Sequence, residues 1–325
     1  MSSPHDQISA TRITGPNLIK AGSDADLAER GQCDDDLYDR IALQGRRIVQ
    51  DYVSAAEHHP TTCSAWLKTV EERISQIVGG IVQLDVTASP RVRGVRTAPP
   101  SPQVTVILPT FNRARFVTEA ITSVIDQTLA NWELVVVDDG STDDTEAAVA
   151  PFLEDSRIRY LQQERAGQSA ARNRGLREAR APVVAFLDSD NLYFPGFLKA
   201  AAAAFRDNPQ LSVAYGILAT QHHGLPGTEL LFRPFDRDAL CADNYVDVNT
   251  FICRKAAIDR VGGFDELLET HEDWDLLLRL TVDEPASPLP ILSAYYRVVD
   301  AIRVTDTVRR EPFVARIRSK IAASR

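Results

Sequence analysis

Two aspartates at the end of an apolar run have the spacing that a divalent cation could use. Residues 183–187 read VVAFL, a β-branched and apolar pattern typical of a strand buried on both faces. Asp188 and Asp190 follow directly, and two bare carboxylates this close would raise each other's pKa. A hard, oxygen-binding cation such as Mg²⁺ or Mn²⁺ would remove that conflict. The structural alternative is an Asx turn or a helix cap that leads into Pro195.

A second acidic group lies far along the chain, where residues 269–280 read ETHEDWDLLLRL. The leucines recur at helical spacing, which predicts a helix from Asp273 that buries them on one face. Thr270 as N-cap with Asp273 three residues later resembles a capping box, which would be a purely structural device. Acidic residues in a first turn also favour the helix dipole. These residues alone therefore leave both a cap and a functional site open.

The segments that must position these aspartates alternate between strand and helix from Val104 onward. Alternation with short links predicts an α/β fold, built from βαβ units around a mostly parallel sheet flanked by helices. Right-handed crossovers then place the carboxyl end of every strand on one edge of the sheet. Strands are predicted at residues 104–108, 134–137, 158–161, 183–187 and 211–215, and helices at 115–128, 168–179 and 196–206, with a further helix ending near Leu153.

Polar residues from three strand ends are predicted to collect at that edge. A carboxylate there can accept a hydrogen bond from a ribose hydroxyl or a base N–H, and Phe111 can lie against a base. Arg172 and Arg174, in the helix after Gly167, can reach the same base or the phosphates. The edge therefore predicts a nucleotide-diphosphate pocket. The three strand ends are Thr110-Phe111-Asn112, Asp138-Asp139 and Asp188-Ser189-Asp190.

Composition and missing motifs exclude several classes of protein. The 325-residue chain has a formal net charge of −9, which disfavours a nucleic-acid binder. It has neither the P-loop pattern nor G-x-G-x-x-G, which disfavours ATPases and Rossmann dehydrogenases. Its four cysteines have no C-x-x-C spacing and are interpreted as reduced thiols. Without a signal-peptide pattern or an apolar run of about 18 residues, the protein is predicted to be cytoplasmic.

Two segments flank the α/β body. Residues 1–86 are predicted to form a helical appendage, with amphipathic patterns at 36–57 and 64–86. The appendage is interpreted as a module for homodimerisation or acceptor docking, or as a cover packed on the main domain. Residues 87–103 contain four prolines and no apolar periodicity, which predicts a linker. Residues 301–325 form a basic tail, which either contacts an anionic membrane or acidic acceptor or packs as a helix on its own domain.

Four stretches of the α/β body carry a family resemblance. They read VTVILPTFNRARFVTEAITSVIDQT, WELVVVDDGSTDDT, GQSAARNRGLREA and VVAFLDSDNLYFPGFL. In this order they resemble the inverting glycosyltransferases of family 2, which have the GT-A fold. The resemblance covers residues 104–297, about three-fifths of the chain. It implies a GT-A glycosyltransferase domain over residues 104–300 and a donor that is most often a UDP-sugar. The acceptor remains open among a glycan, a peptide, a lipid-linked intermediate and a small molecule.

The resemblance assigns roles in donor binding to single residues. It implies that Pro109, Thr110 and Phe111 line the uracil site. It also implies that Asp139 hydrogen-bonds uracil and that Arg172 contacts the base. In this interpretation, the ends of the first two predicted strands and the following helix hold one nucleotide.

The resemblance also implies how the diphosphate is held and how the reaction proceeds. Asp188 would lie near the ribose, and Asp190 would bind the Mg²⁺ or Mn²⁺ that bridges the diphosphate. The cation, with Arg172 or Arg174, would neutralise the leaving nucleoside diphosphate. Asp273, in the family's E-D-W-D-L motif, would act as general base towards the acceptor hydroxyl. A single displacement would then invert the configuration of the sugar.

The sequence departs from the family pattern at two places. Asn191 stands where the family often has another aspartate, and Val299 stands where its closing Y-R-x-H strand commonly has histidine. Asp300, which follows, is a poor substitute for a donor to phosphate. These departures imply weak metal affinity or a contribution from another loop.

Two other functions are compatible with parts of this pattern. A GT-A-like sugar-phosphate nucleotidyltransferase would need a glycine-rich, basic loop after the first strand, and PTFNRAR contains no glycine. A catalytically weak or inactive sugar-nucleotide-binding or scaffold protein agrees with Val299 but not with intact Asp190 and Asp273. The resemblance therefore favours an active, metal-dependent glycosyltransferase.

Overall fold

The structure is a computed structural model that describes residues 101–221, 229–232, 235–297 and 311–323. The predictions made for the N-terminal appendage, including homodimerisation through its helices, lie outside the described residues. So do most of the linker and residues 298–310, which contain Val299 and Asp300.

In the described part of the chain, nine strands form one mixed sheet. Their spatial order is β3-β2-β1-β4-β8-β6-β9-β5, and β7 pairs with β6. The pairings make β8 antiparallel to both β4 and β6, while β9 is parallel to β6. Six strands therefore run in one direction and β5, β7 and β8 run against it, which confirms the mostly parallel sheet. The strands are β1 Val104–Thr110, β2 Trp132–Asp138, β3 Ile158–Gln162, β4 Val183–Phe186, β5 Leu192–Tyr193, β6 Val213–Gln221, β7 Glu229–Leu231, β8 Phe251–Arg254 and β9 Ser287–Arg297.

The described helices pack on both faces of this sheet. The helix predicted after Gly167 begins at Gln168, and the acidic helix begins at Glu272, one residue earlier than predicted. The helices are α1 Ala114–Ile125, α2 Thr145–Val149, α3 Gln168–Glu178, α4 Phe197–Asp207, α5 Arg237–Ala242, α6 Lys255–Arg260, α7 Glu272–Leu280 and α8 Glu311–Ala323, with a 3₁₀ turn at Ala150–Glu154.

The sheet separates two apolar layers because successive residues of a strand point to opposite faces. In β1, Val106 and Leu108 pack in the layer that contains α1 and α4. Ile107, between them, packs in the layer that contains α6, α7 and α8. The β1 sequence is apolar throughout because both of its faces are covered, as expected for a central parallel strand.

Helix α3 lies unusually close to β1. A Cβ atom added to Gly175 would lie 2.5 Å from the Cγ2 atom of Ile107, so a larger residue would push the helix off the sheet. Gly167 precedes the helix with a φ of 94°. The close approach brings the first turns of α3, with Arg172, to the carboxyl ends of the strands.

The described part of the basic tail, α8, packs on its own domain. Ile317 is buried in the layer that contains α7. The Nζ atom of Lys320 bonds Asp265 at 2.6 Å and Asp275 at 2.7 Å, and Arg316 also pairs with Asp265. These contacts support the interpretation of the tail as a packed terminal helix. None of the described helices is long and apolar enough to cross a membrane.

Candidate active site

Strand register brings the predicted polar residues to one edge of the sheet. Thr110, the last residue of β1, is paired with Asp138, the last residue of β2. Ile107 of β1 is paired with Phe186 of β4, and Asp188 follows two residues later. The predicted collection of strand ends is therefore present, with β1 between the other two strands.

Asp188 is fixed by partners from distant segments. Its Oδ1 atom accepts a hydrogen bond from Arg172 at 2.6 Å, and its Oδ2 atom accepts one from the Asn249 amide at 3.1 Å. The backbone N–H of Asp188 donates to the Asn249 Oδ1 atom at 2.7 Å. The carboxylate remains 28% exposed, so it is held rigidly while one side stays accessible to a ligand.

Arg172 lies between two carboxylates and is 1% exposed. Its Nη1 atom bonds Glu272 at 2.5 Å, and its Nη2 atom bonds Asp188. Burial alone would lower the pKa of this guanidinium, but the two carboxylates outweigh burial and raise the pKa above its ordinary value. The two terminal nitrogens make Arg172 a link between the end of β4 and the start of α7. Its Nε atom is buried without a hydrogen bond among the described residues, and a contact between Arg172 and a base stays a prediction.

Arg174 does not share this position. Two residues along a helix correspond to a rotation of about 200°, so Arg174 points away from the Asp188 side of α3. That both arginines reach one ligand stays a prediction.

Asp190 is the carboxylate best placed for a cation. Its side chain is 25% exposed, and the Nε atom of Arg113 lies 3.6 Å away. Burial and the charge of Asp188 raise its pKa, while Arg113 and Arg297 oppose that rise. An added positive charge, such as a cation, would favour the ionised form of this carboxyl group.

The donor set fits a metal ion that binds together with phosphate. Among the described residues, no three His, Cys, Asp or Glu side chains converge on a point where they could hold a metal. Mg²⁺ is often held by one or two carboxylates plus substrate phosphates, so Asp190 alone is compatible with this mode of binding. We therefore expect the affinity for metal to depend on the nucleotide.

Asn191, a departure from the family pattern, faces inward. It is 1% exposed, and its Oδ1 atom accepts a hydrogen bond from the backbone N–H of Arg297 at 3.0 Å. The amide thus joins the end of β4 to the end of β9. An aspartate at this position would point into the same contact, so the change to asparagine removes no carboxylate from the Asp190 site.

Arg113 and Arg297 bring positive charge to the Asp190 side of the edge. Arg297 pairs with Glu119, while its Nε and Nη2 atoms are buried without a hydrogen bond among the described residues. Neither arginine was predicted from the sequence to belong to the site. The first arginine of PTFNRAR was the available signal for Arg113, since it lies three residues beyond the end of β1.

The residues predicted for the base lie at the tip of β1. Pro109 and Thr110 are buried, and Phe111 is partly exposed. Asn112 adopts a left-handed backbone conformation with a φ of 51°, and its Oδ1 atom accepts a hydrogen bond from the Thr142 N–H. This turn presents the Phe111 ring at the edge, where it remains a predicted base contact.

Asp139 holds the loop that leads into α3. Its Oδ1 atom accepts hydrogen bonds from the Gln163 amide and the Ala166 N–H, each at 2.8 Å. Its Oδ2 atom accepts one from the Gly167 N–H at 2.8 Å and retains a lone pair. The predicted bond to uracil would have to use that lone pair, because the carboxylate is 4% exposed.

Asp273 lies in the first turn of α7 and is partly buried. Its Oδ1 atom accepts from the Trp274 N–H at 2.7 Å, and its Oδ2 atom accepts from the Asn244 amide at 3.3 Å. Burial raises its pKa well above the usual range, and the charges of Glu272 and Asp247 add to the rise. A raised pKa is what a carboxylate general base near neutral pH requires.

The capping-box interpretation of this segment is wrong. The N-cap residue is His271, which has a left-handed φ of 61°, and no side chain caps the helix. The hydroxyl of Thr270 instead contacts the Nδ1 atom of His271 at 3.1 Å. Asp273 therefore is not part of a capping box with Thr270, although its Oδ1 atom accepts the Trp274 N–H of the first turn.

Asp247 is a further carboxylate that the sequence analysis missed. Burial and the charge of Asp188 raise its pKa to about 6, while hydrogen bonds from Asn249 oppose that rise. The Asn249 amide donates to Asp247 at 2.7 Å and also bonds Asp188. The VDVN segment alternates apolar and polar residues as a strand would, and this pattern does not mark Asp247 as a site residue. Only the folded chain shows that Asp247 lies near the charges of Asp188 and Asp273.

Comparison with solved structures supports the fold. The structure of Staphylococcus aureus TarS 1–349 in complex with UDP-GlcNAc aligns with a TM-score of 0.58 and 24% identity over 68% of this chain and 66% of that one. TarS 1–349 in complex with UDP aligns with a TM-score of 0.53 and 26% identity over 67% and 64% of the two chains. The GT-A-type architecture expected from the sequence is thereby confirmed.

Sequence relatives match shorter stretches. An Escherichia coli protein described as UDP-Glc:alpha-D-GlcNAc-diphosphoundecaprenol beta-1,3-glucosyltransferase WfgD is 40% identical over 114 residues, 35% of this chain and 44% of its own length. An uncharacterized glycosyltransferase of Rickettsia felis is 45% identical over 92 residues, 28% of this chain and 15% of its own. The chain thus spans less than half the length of these relatives.

The family model described as "Glycosyl transferase family 2" matches residues 105–267, half of the chain. This match covers the strands and helices from β1 to the loop before α7, which carry Asp139, Arg172, Asp188 and Asp190. With its motifs in the family order and its sheet in the GT-A arrangement, the protein belongs to glycosyl transferase family 2.

Proposed function

We propose that the protein is a metal-dependent, inverting glycosyltransferase that moves a sugar from a UDP-sugar to an acceptor hydroxyl. One observation carries this proposal. The buried guanidinium of Arg172 bonds Asp188 at 2.6 Å and Glu272 at 2.5 Å, and Glu272 directly precedes Asp273. A donor-side carboxylate and the candidate base are therefore held in one rigid framework, as a displacement at a sugar carbon requires.

A uridine nucleotide is the donor that the similarities favour. Two similar TarS structures contain UDP-GlcNAc or UDP, and the name of WfgD specifies UDP-Glc. In this chain, Phe111 offers an aromatic face at the tip of β1, and Asp139 retains an acceptor lone pair beside it. Both features suit a pyrimidine base with one N–H donor.

Asp190 would hold Mg²⁺ or Mn²⁺ together with the diphosphate. When bound, the cation supplies positive charge that stabilises the leaving nucleoside diphosphate. Arg113, 3.6 Å from Asp190, and Arg297 add positive charge on the same side. Arg172 would act as a positioning residue, because both of its terminal nitrogens are bonded to protein carboxylates.

Asp273 would take the proton of the acceptor hydroxyl. As it does so, the acceptor oxygen forms a bond to the anomeric carbon and the bond from that carbon to the phosphate oxygen breaks. UDP leaves with the electron pair of the broken bond, and the attack from the opposite face inverts the configuration. The Asn244 amide and the Trp274 N–H orient the carboxylate for this transfer.

A panel of UDP-sugars, scored by release of UDP with Mn²⁺ present, tests this function. We expect one donor to release UDP far faster than the others, and EDTA to abolish that release. Asp190→Asn should reproduce the loss caused by EDTA, because it removes the only carboxylate assigned to the metal. Asp207→Asn is the matched control, because Asp207 is 68% exposed on α4. Release by no donor, together with no binding of UDP, would refute the proposal.

A further inference from the structure

The aromatic face that Phe111 offers at the tip of β1 is covered. The guanidinium of Arg165 lies over the ring, 3.3 Å from its centroid. Phe111 follows the last residue of β1 directly, and the left-handed Asn112 follows Phe111. Arg165 itself is exposed, so other side chains do not confine it. The arginine therefore occupies the surface on which a base would stack.

The backbone beneath Arg165 is anchored. The N–H groups of Ala166 and Gly167 donate to Asp139 at 2.8 Å each. A Cβ atom added to Gly140 would lie 3.0 Å from the backbone nitrogen of Arg165, which shows how closely the two loops pack. Rotation about side-chain bonds is consequently the way in which the guanidinium can leave the ring, and it stays within reach of the strand tip when it does.

We propose that Arg165 is a base-binding residue that closes the uracil site from the side opposite Phe111. The inference rests on the proposed function, since it requires a nucleotide at this edge. In the free protein the guanidinium stacks on Phe111. When a base enters, the guanidinium lifts by one stacking layer and lies on the outer face of the base. The planar pyrimidine is then held between an aromatic ring and a planar cation.

The relative strengths of the contacts favour this exchange. A cation–π contact at an exposed site favours the stacked arrangement about two- to five-fold. Stacking of a base on an aromatic side chain raises the binding constant of the base about five- to 150-fold. The base therefore displaces the guanidinium from Phe111. Arginine is well suited to the second position because its planar, weakly hydrated guanidinium stacks on flat ring systems.

Calorimetric titration with UDP and Mn²⁺ tests the proposal on four proteins: the wild type, Arg165→Ala, Arg165→Lys and Arg206→Ala. We expect Arg165→Ala to bind UDP about three- to ten-fold more weakly, because the outer face of the base becomes exposed to water. Arg165→Lys should recover only part of this loss, because it keeps the charge without the planar group. Arg206→Ala removes another exposed arginine, on α4, and should bind as the wild type does.

A second titration, with pyrophosphate and Mn²⁺, separates the base from the phosphates. We expect Arg165→Ala to bind pyrophosphate as the wild type does. An equal loss for pyrophosphate and UDP would place Arg165 on the phosphates and overturn the proposal. Unchanged or tighter binding of UDP by Arg165→Ala would also overturn it, since the arginine would then be a bystander or an obstacle. Failure of the wild type to bind UDP at all would instead refute the proposed function.

Discussion

The two halves of the sheet position their polar residues by different means. From β1 to β4, the register of parallel strands is sufficient: it places Thr110 beside Asp138 and brings Asp188 to the same edge. From β6 to α7, side-chain bonds span long stretches of sequence. Arg172 and Glu272 are 100 residues apart, and Asp188 and Asn249 are 61 residues apart.

This difference indicates where the molecule is sensitive to substitution. The first half is stabilised by many apolar contacts on both faces of its strands, so that single polar contacts there contribute little to its geometry. The second half depends on a few buried polar contacts, each of which would leave an unpaired charge if broken. Substitutions that break those contacts should therefore have larger effects than matched substitutions in the first half.

The largest effect is expected at the candidate base. Asp273→Asn should lower kcat by about 10²–10⁴-fold, because the amide cannot take the acceptor's proton. It keeps an oxygen that accepts the Trp274 N–H, so the Kd for UDP should change little. Turnover of the matched donor and acceptor, with UDP titration alongside, measures both quantities. Turnover equal to that of the wild type would remove Asp273 from the mechanism.

The link between the two halves should have the next largest effect. Arg172→Met leaves buried Glu272 and partly exposed Asp188 without their shared cation and should cost about 3–5 kcal/mol in the free energy of unfolding, mostly through Glu272. Urea denaturation at neutral pH measures this loss.

A matched substitution within the first half serves as the comparison. Arg159 pairs with Glu133 and Glu178, and it is 20% exposed. Arg159→Met should cost about 1 kcal/mol in the free energy of unfolding, because Glu178 is 47% exposed and buried Glu133 keeps hydrogen bonds from the Thr105 hydroxyl and the Arg180 N–H. If Arg159→Met and Arg172→Met cost the same, the contrast between the halves would not hold.

The dependence of stability on pH should report Asp247. Its pKa in the folded protein, about 6, lies above the reference value of 3.8. The protonated form therefore favours folding below about pH 4, and this contribution is lost as the pH rises through 6. Between pH 4 and 7, the free energy of unfolding of the wild type should fall by up to about 3 kcal/mol because of Asp247. Asp247→Asn should not show this part of the decrease. Parallel stability curves for the two proteins would contradict this assignment.

The smallest effect is expected at the exposed ion pairs of α8. Arg316 is 43% exposed where it pairs with Asp265. Arg316→Ala should therefore lower the free energy of unfolding by about 0.2–1 kcal/mol, as measured by urea denaturation. High salt should reduce that difference further, because it screens exposed charges. A loss as large as that of Arg172→Met would show that exposure does not decide the strength of these pairs.

Much of the first half could be predicted from local sequence. The apolar runs of β1, β2 and β4 are fully buried, and their polar ends identify the functional edge without knowledge of distant residues. Asp188 and Asp190 were found in this way, since a strand that stops at two carboxylates is a local pattern. The family resemblance added the roles of these residues, which the pattern alone does not contain.

The second half could be predicted less well, because its contacts are not local. The sequence near Arg172 predicts a ligand-binding arginine. No local pattern near Arg172 or Glu272 indicates that the two side chains pair in the folded protein. The left-handed His271 replaces a threonine cap that the sequence equally allowed. Asp247 begins a turn, and the alternation of the VDVN segment gives no sign of the carboxylate that folding brings near it.

The packing of α8 against α7 matters for the design of shortened forms of this chain. Lys320 bonds one oxygen of Asp275 while Arg279 bonds the other, and Asp275 lies on α7 two residues beyond Asp273. Removal of residues 311–323 would expose to solvent the part of the apolar layer that Ile317 covers. It would also leave Arg279 as the remaining cation that bonds Asp275. Such a truncation would weaken the packing that supports Asp273, so that low activity of the shortened chain would say little about the chemical role of Asp273.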